Sequence, residues 1–182
     1  MDPEVHLVKY WMEKVVIGLN FCPFAAKPFY RNKISYYVHH EPDIPSCIKQ
    51  FYAVLRALQE EAAEVLETAF IIYPRAFQDF NEYLQFVQLL QRFLEMNQME
   101  AEFQLASFHP EYQFKGTSSD DVTNNTNKSP FPIVHILRSE SILQARLSYG
   151  NTLKIPKLNI DRLRSMGLEG WKEYCIENRL SL

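Results

Sequence analysis

The chain contains no CxxC, HExxH, GxGxxG or phosphate-loop signature, so none of the standard metal, dinucleotide or nucleotide sites is written in it. Cysteine is sparse. Cys22, Cys47 and Cys175 are odd in number and far apart, which suits a reducing compartment better than a disulfide framework. No window approaches the roughly 20 apolar residues that span a bilayer. The first residues, MDPEVHLVKYWMEKVV, carry early acids and no uninterrupted apolar stretch, unlike a secretory signal. The cytoplasm is therefore the expected location. Lys and Arg total 19 against 22 Asp and Glu, a net charge of −3, and the cations form no stripe. A phosphate-backbone binder needs such a stripe, so neither nucleic acid nor a membrane is an expected partner. No internal repeat breaks the chain up. Residues 1–182 read as one globular domain, a length at which most apolar surface is buried.

What the chain has in quantity is aromatic side chains: 13 Phe, 10 Tyr and 2 Trp, read first as packing material. Apolar spacing gives the elements. Val5, Val8, Trp11, Met12, Val15, Val16 and Leu19 share one helical face, after a cap at Asp2 and a proline at Pro3. Residues 34–39 (ISYYVH) read as a strand, and a long helix follows the Glu41-Pro42-Asp43 turn. Residues 68–73 (TAFIIY) are the short apolar run of a strand covered on both faces. Helical spacing returns over residues 77–96, strand alternation over 101–108, and a fourth strand over 133–137. Residues 139–147 read as a helix, and two tail helices over 159–166 and 168–178 flank Gly167. The expected class is α/β, with α+β as the alternative: a four-stranded mixed sheet, helices packed on it, and helices at the C-terminus.

Between His109 and Pro132 lies a connection far longer than usual, and such loops are functional or disordered. His109 stands where a strand ends, the place at which open α/β sheets gather ligands. Short polar residues, Ser118 to Asn127 among them, bond their own backbone and shape fixed turns. Phe108, Tyr112, Phe114 and Phe131 point to an anchored loop rather than a linker. Cys22 is a candidate nucleophile with His109 as its base, against the commoner reading of a buried inert thiol. Cys47 and Cys175 read as core. His39 and His40 are adjacent in a strand and face opposite ways, so they cannot both ligate a metal. A mixed metal site would draw on Cys22, His109, Asp120 and one of those two histidines. His6 reads as surface and His135 as a strand-face residue. Lys115, Lys128, Arg138 and Arg146 are the cations available to an anionic ligand.

The segments GLNFCPFA (18–25), ASFHPEYQF (106–114), DDVTNNTNKSPFP (120–132), HILRSES (135–141) and NIDRLRSMGLEGW (159–171) resemble, over nearly the full length, a bacterial family catalogued as domain of unknown function 1415. The resemblance puts Cys22, His109, Tyr112, Gln113, Asn125, Thr126, Asn127, Ser129 and Arg138 at motif positions and implies no activity. Its pattern leads one to expect arginine where Lys128 stands, which keeps the charge and loses the bidentate fork.

These features together suggest a cytosolic enzyme acting on a small polar or anionic molecule. His109 would be acid/base, Cys22 the nucleophile, and Tyr112, Gln113, Asn125, Thr126, Asn127, Lys128, Ser129 and Arg138 the substrate-binding residues. The alternatives are a metal-binding protein using Cys22 and His109, and an interaction module that docks a partner through residues 21–30 and 108–114. The sequence names no cofactor, substrate or oligomeric state.

Overall fold

The computed structural model describes residues 2–180. Four strands, β1 (Ile34–Val38), β2 (Thr68–Ile72), β3 (Phe103–Phe108) and β4 (Ile133–Arg138), form one mixed sheet in the order β1-β2-β4-β3. β1 and β2 run parallel, and β4 runs antiparallel to both β2 and β3. The sheet is thus the four-stranded mixed one expected. β1, β2 and β3 all point the same way and only β4 is reversed. Residues 39, 73, 109 and 132 therefore emerge at one end of the sheet.

The helices are α1 (Pro3–Trp11), α2 (Ala26–Tyr30), α3 (Ile44–Glu60), α4 (Phe80–Met96), α5 (Ser139–Tyr149) and α6 (Ile155–Glu177). α3 starts where Asp43 accepts from the Ser46 N–H, and α4 where Asp79 accepts from Asn81 and Glu82. Apolar side chains of α3 and α4 cover one face of the sheet, with Phe51, Leu55, Tyr83 and Leu90 against Ile71, Val134 and Ile136. α1 and α6 cover the other, with Trp11, Val15, Leu163 and Trp171 against Phe70, Ile72 and Ile133. β2, buried along its whole length, is shared by both cores, as its continuous apolar run foretells. None of the described helices is long and apolar enough to cross a membrane.

Three departures from periodicity matter. The first helix continues beyond Trp11 as a π-helix, Met12–Ile17, and Gly18 follows because a Cβ there would collide with the Lys14 carbonyl oxygen. The α4 helix begins at Phe80 rather than 77, because Phe77 adopts φ +58 and breaks the turn. α6 is a continuous stretch of helix interrupted at Gly167, whose φ of +66 and extended ψ separate the two tail helices read from the sequence.

Across the α1/α6 face, Tyr36, Phe70 and His135 occupy one register line of three strands. Their rings are stacked, Tyr36 on Phe70 at 5.6 Å and Phe70 on His135 at 4.0 Å. The Thr68 hydroxyl donates to the Ile136 carbonyl (2.6 Å), so it accepts from His135 Nε2–H (2.6 Å). Burial holds the imidazole neutral, with its pKa pushed down to about 3. The folded pKa lies below the unfolded value near 6.5, so this contribution is complete above that value and is lost as pH falls toward 3. His135→Phe should remove a slope of up to about 1.4 kcal/mol per pH unit from the stability curve between pH 6 and 4, measured by urea unfolding. Identical slopes in the two proteins would refute a neutral, buried imidazole.

Candidate functional site

The polar loop opens at His109, which is 1% exposed. A carbonyl can only accept, so the 2.8 Å contact with the Phe77 oxygen makes Nε2 the protonated nitrogen. Nδ1 then accepts the Glu111 N–H at 3.0 Å. Both ring nitrogens are thereby committed to main chain, and the ring packs against Phe80 and Tyr83 at 5.2 and 5.0 Å. Burial lowers its pKa, opposed in part by the Phe77 carbonyl and by Glu111 and Asp79. The backbone of His109 donates to the Asn127 carbonyl and accepts from Tyr112.

The rest of the loop closes on itself. Asn124, 0% exposed, accepts with Oδ1 from Phe114 N–H (3.0 Å) and Thr117 Oγ1 (2.9 Å) and donates with Nδ2 to Ser118 O (2.8 Å). A 3-10 turn, Val122–Thr126, is capped by Asp121, whose carboxylate accepts from the Thr123 N–H and hydroxyl. Asn125 donates to Val122 O, Thr126 to Thr123 O, Asn127 to Ser107 O and Ser129 to Phe131 O. Gln113 donates to Thr117 O, and Tyr112 packs between Phe80 and Phe114. Lys128 stands half-buried at the end of this run. These are the local side-chain to backbone bonds that Asn, Thr, Ser and Asp favour.

Two of the expected site residues are not brought to this loop's centre. Arg138 ends β4 at the opposite end of the sheet, roughly 17 Å along the strand from Ile133 at about 3.3 Å per residue. There its guanidinium donates to Leu66 O, Leu58 O and Glu61 O and closes the C-terminus of α3. Cys22 packs with the α1/α6 core, whereas the His109 ring lies among α4 side chains on the other face. Burial raises the Cys22 pKa despite opposing N–H groups of Phe24 and Ala25. Among the described residues, no group of three or more His, Cys, Asp or Glu side chains is placed to hold a metal ion. Of the aromatics between residues 21 and 30, Phe21 is buried, Phe24 and Phe29 are half-buried, and Tyr30 is exposed.

A cleft of about 630 Å³ opens at the same end of the sheet, between the β1–α3 connection and α4. Pro42, Ile44, Phe77, Phe86 and Leu89 give it apolar walls, and Glu82, Gln85 and Arg92 a polar rim. Its size falls within the range of small-molecule sites. The Phe77 and Phe86 rings stack at 4.2 Å, and both meet Tyr73 edge-on at 5.4 and 5.5 Å. Tyr73 immediately follows β2 and His39 immediately follows β1, with their rings 5.9 Å apart. The Tyr73 hydroxyl (residue 0% exposed) and His39 Nε2 (residue 9% exposed) are buried without a hydrogen-bond partner. Burial first, then the neighbouring Cys47 thiol and Tyr83, holds the Tyr73 phenol protonated far above neutral pH. Loss of hydration lowers the His39 pKa, against the attraction of Glu41 and Asp43. A smaller hollow of about 190 Å³ lies at Lys9, Asn32 and Tyr36.

A protein-family comparison matches residues 4–173 to a family described as a protein of unknown function, DUF1415. The chain belongs to this family. No curated protein and no solved structure matches it. Asn159 of the late motif donates to Phe21 O and Arg162 to Leu19 O, tying α6 to the GLNFCPFA turn.

Sequence reasoning found the strand-end histidine on β3 and weighed His39, which occupies the equivalent place on β1, only as one of two alternative metal ligands. The signal was available: HHEPD and YPR are both strand ends followed by proline. The position of Phe77 was not available, because helical spacing hides a residue with positive φ. Loop closure is testable directly. Asn124→Ala should cost about 2 kcal/mol in urea unfolding, by stranding the Phe114 N–H and Ser118 carbonyl, and should speed proteolysis within residues 115–121. Lys128→Ala should change stability by less than about 0.5 kcal/mol. An Asn124 variant as stable and protease-resistant as the parent would show that the loop is held by something else.

Proposed function

We propose that the chain binds a small, flat molecule in the cleft between α4 and the β1–α3 connection, with Tyr73 and His39 meeting an uncharged hydrogen-bonding edge of that molecule. The observation that carries this is the pair of buried polar atoms with no partner. An unsatisfied buried group costs about 1–3 kcal/mol, and these two, packed behind the Phe77 and Phe86 wall of the cleft, would gain the missing bonds from a ligand that reached past that wall. The phenol is protonated and can donate. The imidazole is neutral and offers either a donor or an acceptor, according to its tautomer. No charged side chain is buried beside them, so the deep end of the ligand is neutral. Charge on the ligand belongs at the rim with Glu82 and Arg92. The aromatic walls of Phe77 and Phe86 favour a ring.

This reading keeps a small polar molecule as ligand and moves its seat from the 107–129 loop to the cleft. Chemistry there would use His39 as the proton acceptor and Tyr73 as the donor to a developing negative charge. His109, first suggested by the sequence as a base, would support the Phe77 wall rather than react, and Cys22 would pack in the core on the opposite face of the sheet.

Benzamide is a suitable probe, since its ring fits the walls and its amide edge offers one acceptor and two donors. It should bind at about the millimolar level expected of so small a ligand, followed by amide chemical-shift changes around the cleft. Tyr73→Phe should weaken it about fivefold while leaving the protein as stable or slightly more so, because the orphaned hydroxyl is gone. A destabilised Tyr73→Phe variant, or one that binds benzamide as the parent does, would remove the phenol from the site.

A further inference from the structure

We infer that His109 is a positioning residue for the cleft, its imidazole holding Phe77 in the left-handed conformation that forms the cleft wall. The inference rests on the cleft being the ligand site, and it gives the 107–129 loop a part in binding without a contact to the ligand.

Phe77 has φ +58, a conformation that a bulky side chain adopts only when its surroundings enforce it. The enforcing bond is visible. His109 Nε2–H donates to the Phe77 carbonyl at 2.8 Å in a buried setting. The imidazole itself cannot swing, because Nδ1 accepts from Glu111 N–H at 3.0 Å. Its backbone is pinned to Asn127 O at 3.2 Å and to Tyr112 N at 3.1 Å. Asn127 is placed in turn by its bond to Ser107 O and by the Asn124 turn. The order of support therefore runs from the polar loop to His109, from His109 to the Phe77 backbone, and from there to a ring stacked on Phe86 and covering Tyr73. Gln78 adds a local strut, donating to Pro74 O and Ala76 O within the same connection. With both nitrogens engaged, His109 has no lone pair or proton free for a substrate, and its effect on binding passes through Phe77.

Two substitutions separate this role from simple tethering of the loop. The side-chain amide of His109→Gln reaches about as far as Nε2 and can donate to the Phe77 carbonyl. The shorter amide of His109→Asn sits near the Nδ1 position, where it can accept from Glu111 but cannot reach Phe77. Benzamide affinity, measured by chemical-shift titration, should stay within about twofold of the parent in His109→Gln and weaken about fivefold in His109→Asn, the size of one buried hydrogen bond. Circular dichroism and cooperative unfolding report that both variants are folded. If the parent binds benzamide at the cleft and both variants bind equally well, or both are equally weakened, positioning is overturned and the cleft stands. If the parent does not bind there, the cleft reading itself falls and this one with it. Should either variant fail to fold, the parent decides the matter through the His109 Nε2–H proton resonance. Saturating benzamide should shift it, and a resonance unmoved by cleft-bound benzamide overturns the inference.

Discussion

The direction of one strand decides where everything polar in this molecule goes. β4 alone runs against the other three, so the exits of β1, β2 and β3 and the entrance to β4 share one end of the sheet. Four segments of irregular backbone then crowd together at a buried edge, where each N–H and C=O needs a partner. Side chains supply several of those partners. The Tyr83 hydroxyl sits in the last rung of the β3–β4 ladder, accepting from Phe108 N–H at 3.2 Å and donating to Ile133 O at 2.6 Å. Asn127 closes the outer edge of β3 by donating to Ser107 O, while its carbonyl takes the His109 N–H. An edge strand finished in this way offers less open backbone for pairing with another chain.

The two faces of the sheet solve burial differently. On the α3/α4 side the core is aliphatic and phenylalanine-rich, and Arg138 closes it at the far end by binding three carbonyls where α3 stops. On the α1/α6 side a stacked row of Tyr36, Phe70 and His135 crosses three strands, with Trp11 edge-on to the adjoining Phe108. A histidine can end such a row because Thr68 accepts its one N–H and burial keeps it neutral. The π-helical turn leaves the Val16 carbonyl to accept from both Phe21 and Cys22, and α6 clips the following turn through Asn159 and Arg162. The Tyr174 hydroxyl adds a bond to Lys14 O. Segments far apart in the chain, 14–21 and 159–174, are thus joined by side chains bonded to main-chain carbonyls.

Much of the fold was legible because it is local. Asp2 is a cap, Glu41-Pro42-Asp43 turns into α3, helical spacing marks α3 and α4, the short, mostly apolar run of β2 marks a strand covered on both faces, and Gly167 marks the break in α6. What escaped depends on relations between segments. Nothing in HILRSES says that β4 lies between β2 and β3, or that Arg138 would bind the carbonyls where α3 stops. Likewise, no spacing rule places Cys22 and His109 among the packing on opposite faces. The candidate site was legible only as an end of the sheet. His109 marked that end correctly, while its saturated nitrogens could be seen only once Phe77 and Glu111 were in place.

A polar loop and an apolar cleft at the same end of a sheet make different kinds of claim on function. The loop has the composition associated with ligand sites, yet its amides and hydroxyls spend their bonding capacity on one another. Asn124 alone makes three such bonds at full burial. To recruit these groups a ligand would have to displace bonds already made, gaining only the difference. In the cleft the balance is reversed. Behind its wall, Tyr73 and His39 lost their water on folding and received no partner in return, so a ligand that reached them would gain nearly the full strength of each new bond. Unspent capacity, rather than abundance of polar side chains, separates a place that binds from a place that merely holds its shape. On the proposed reading, the loop is the buttress of the wall behind which the orphaned phenol and imidazole lie.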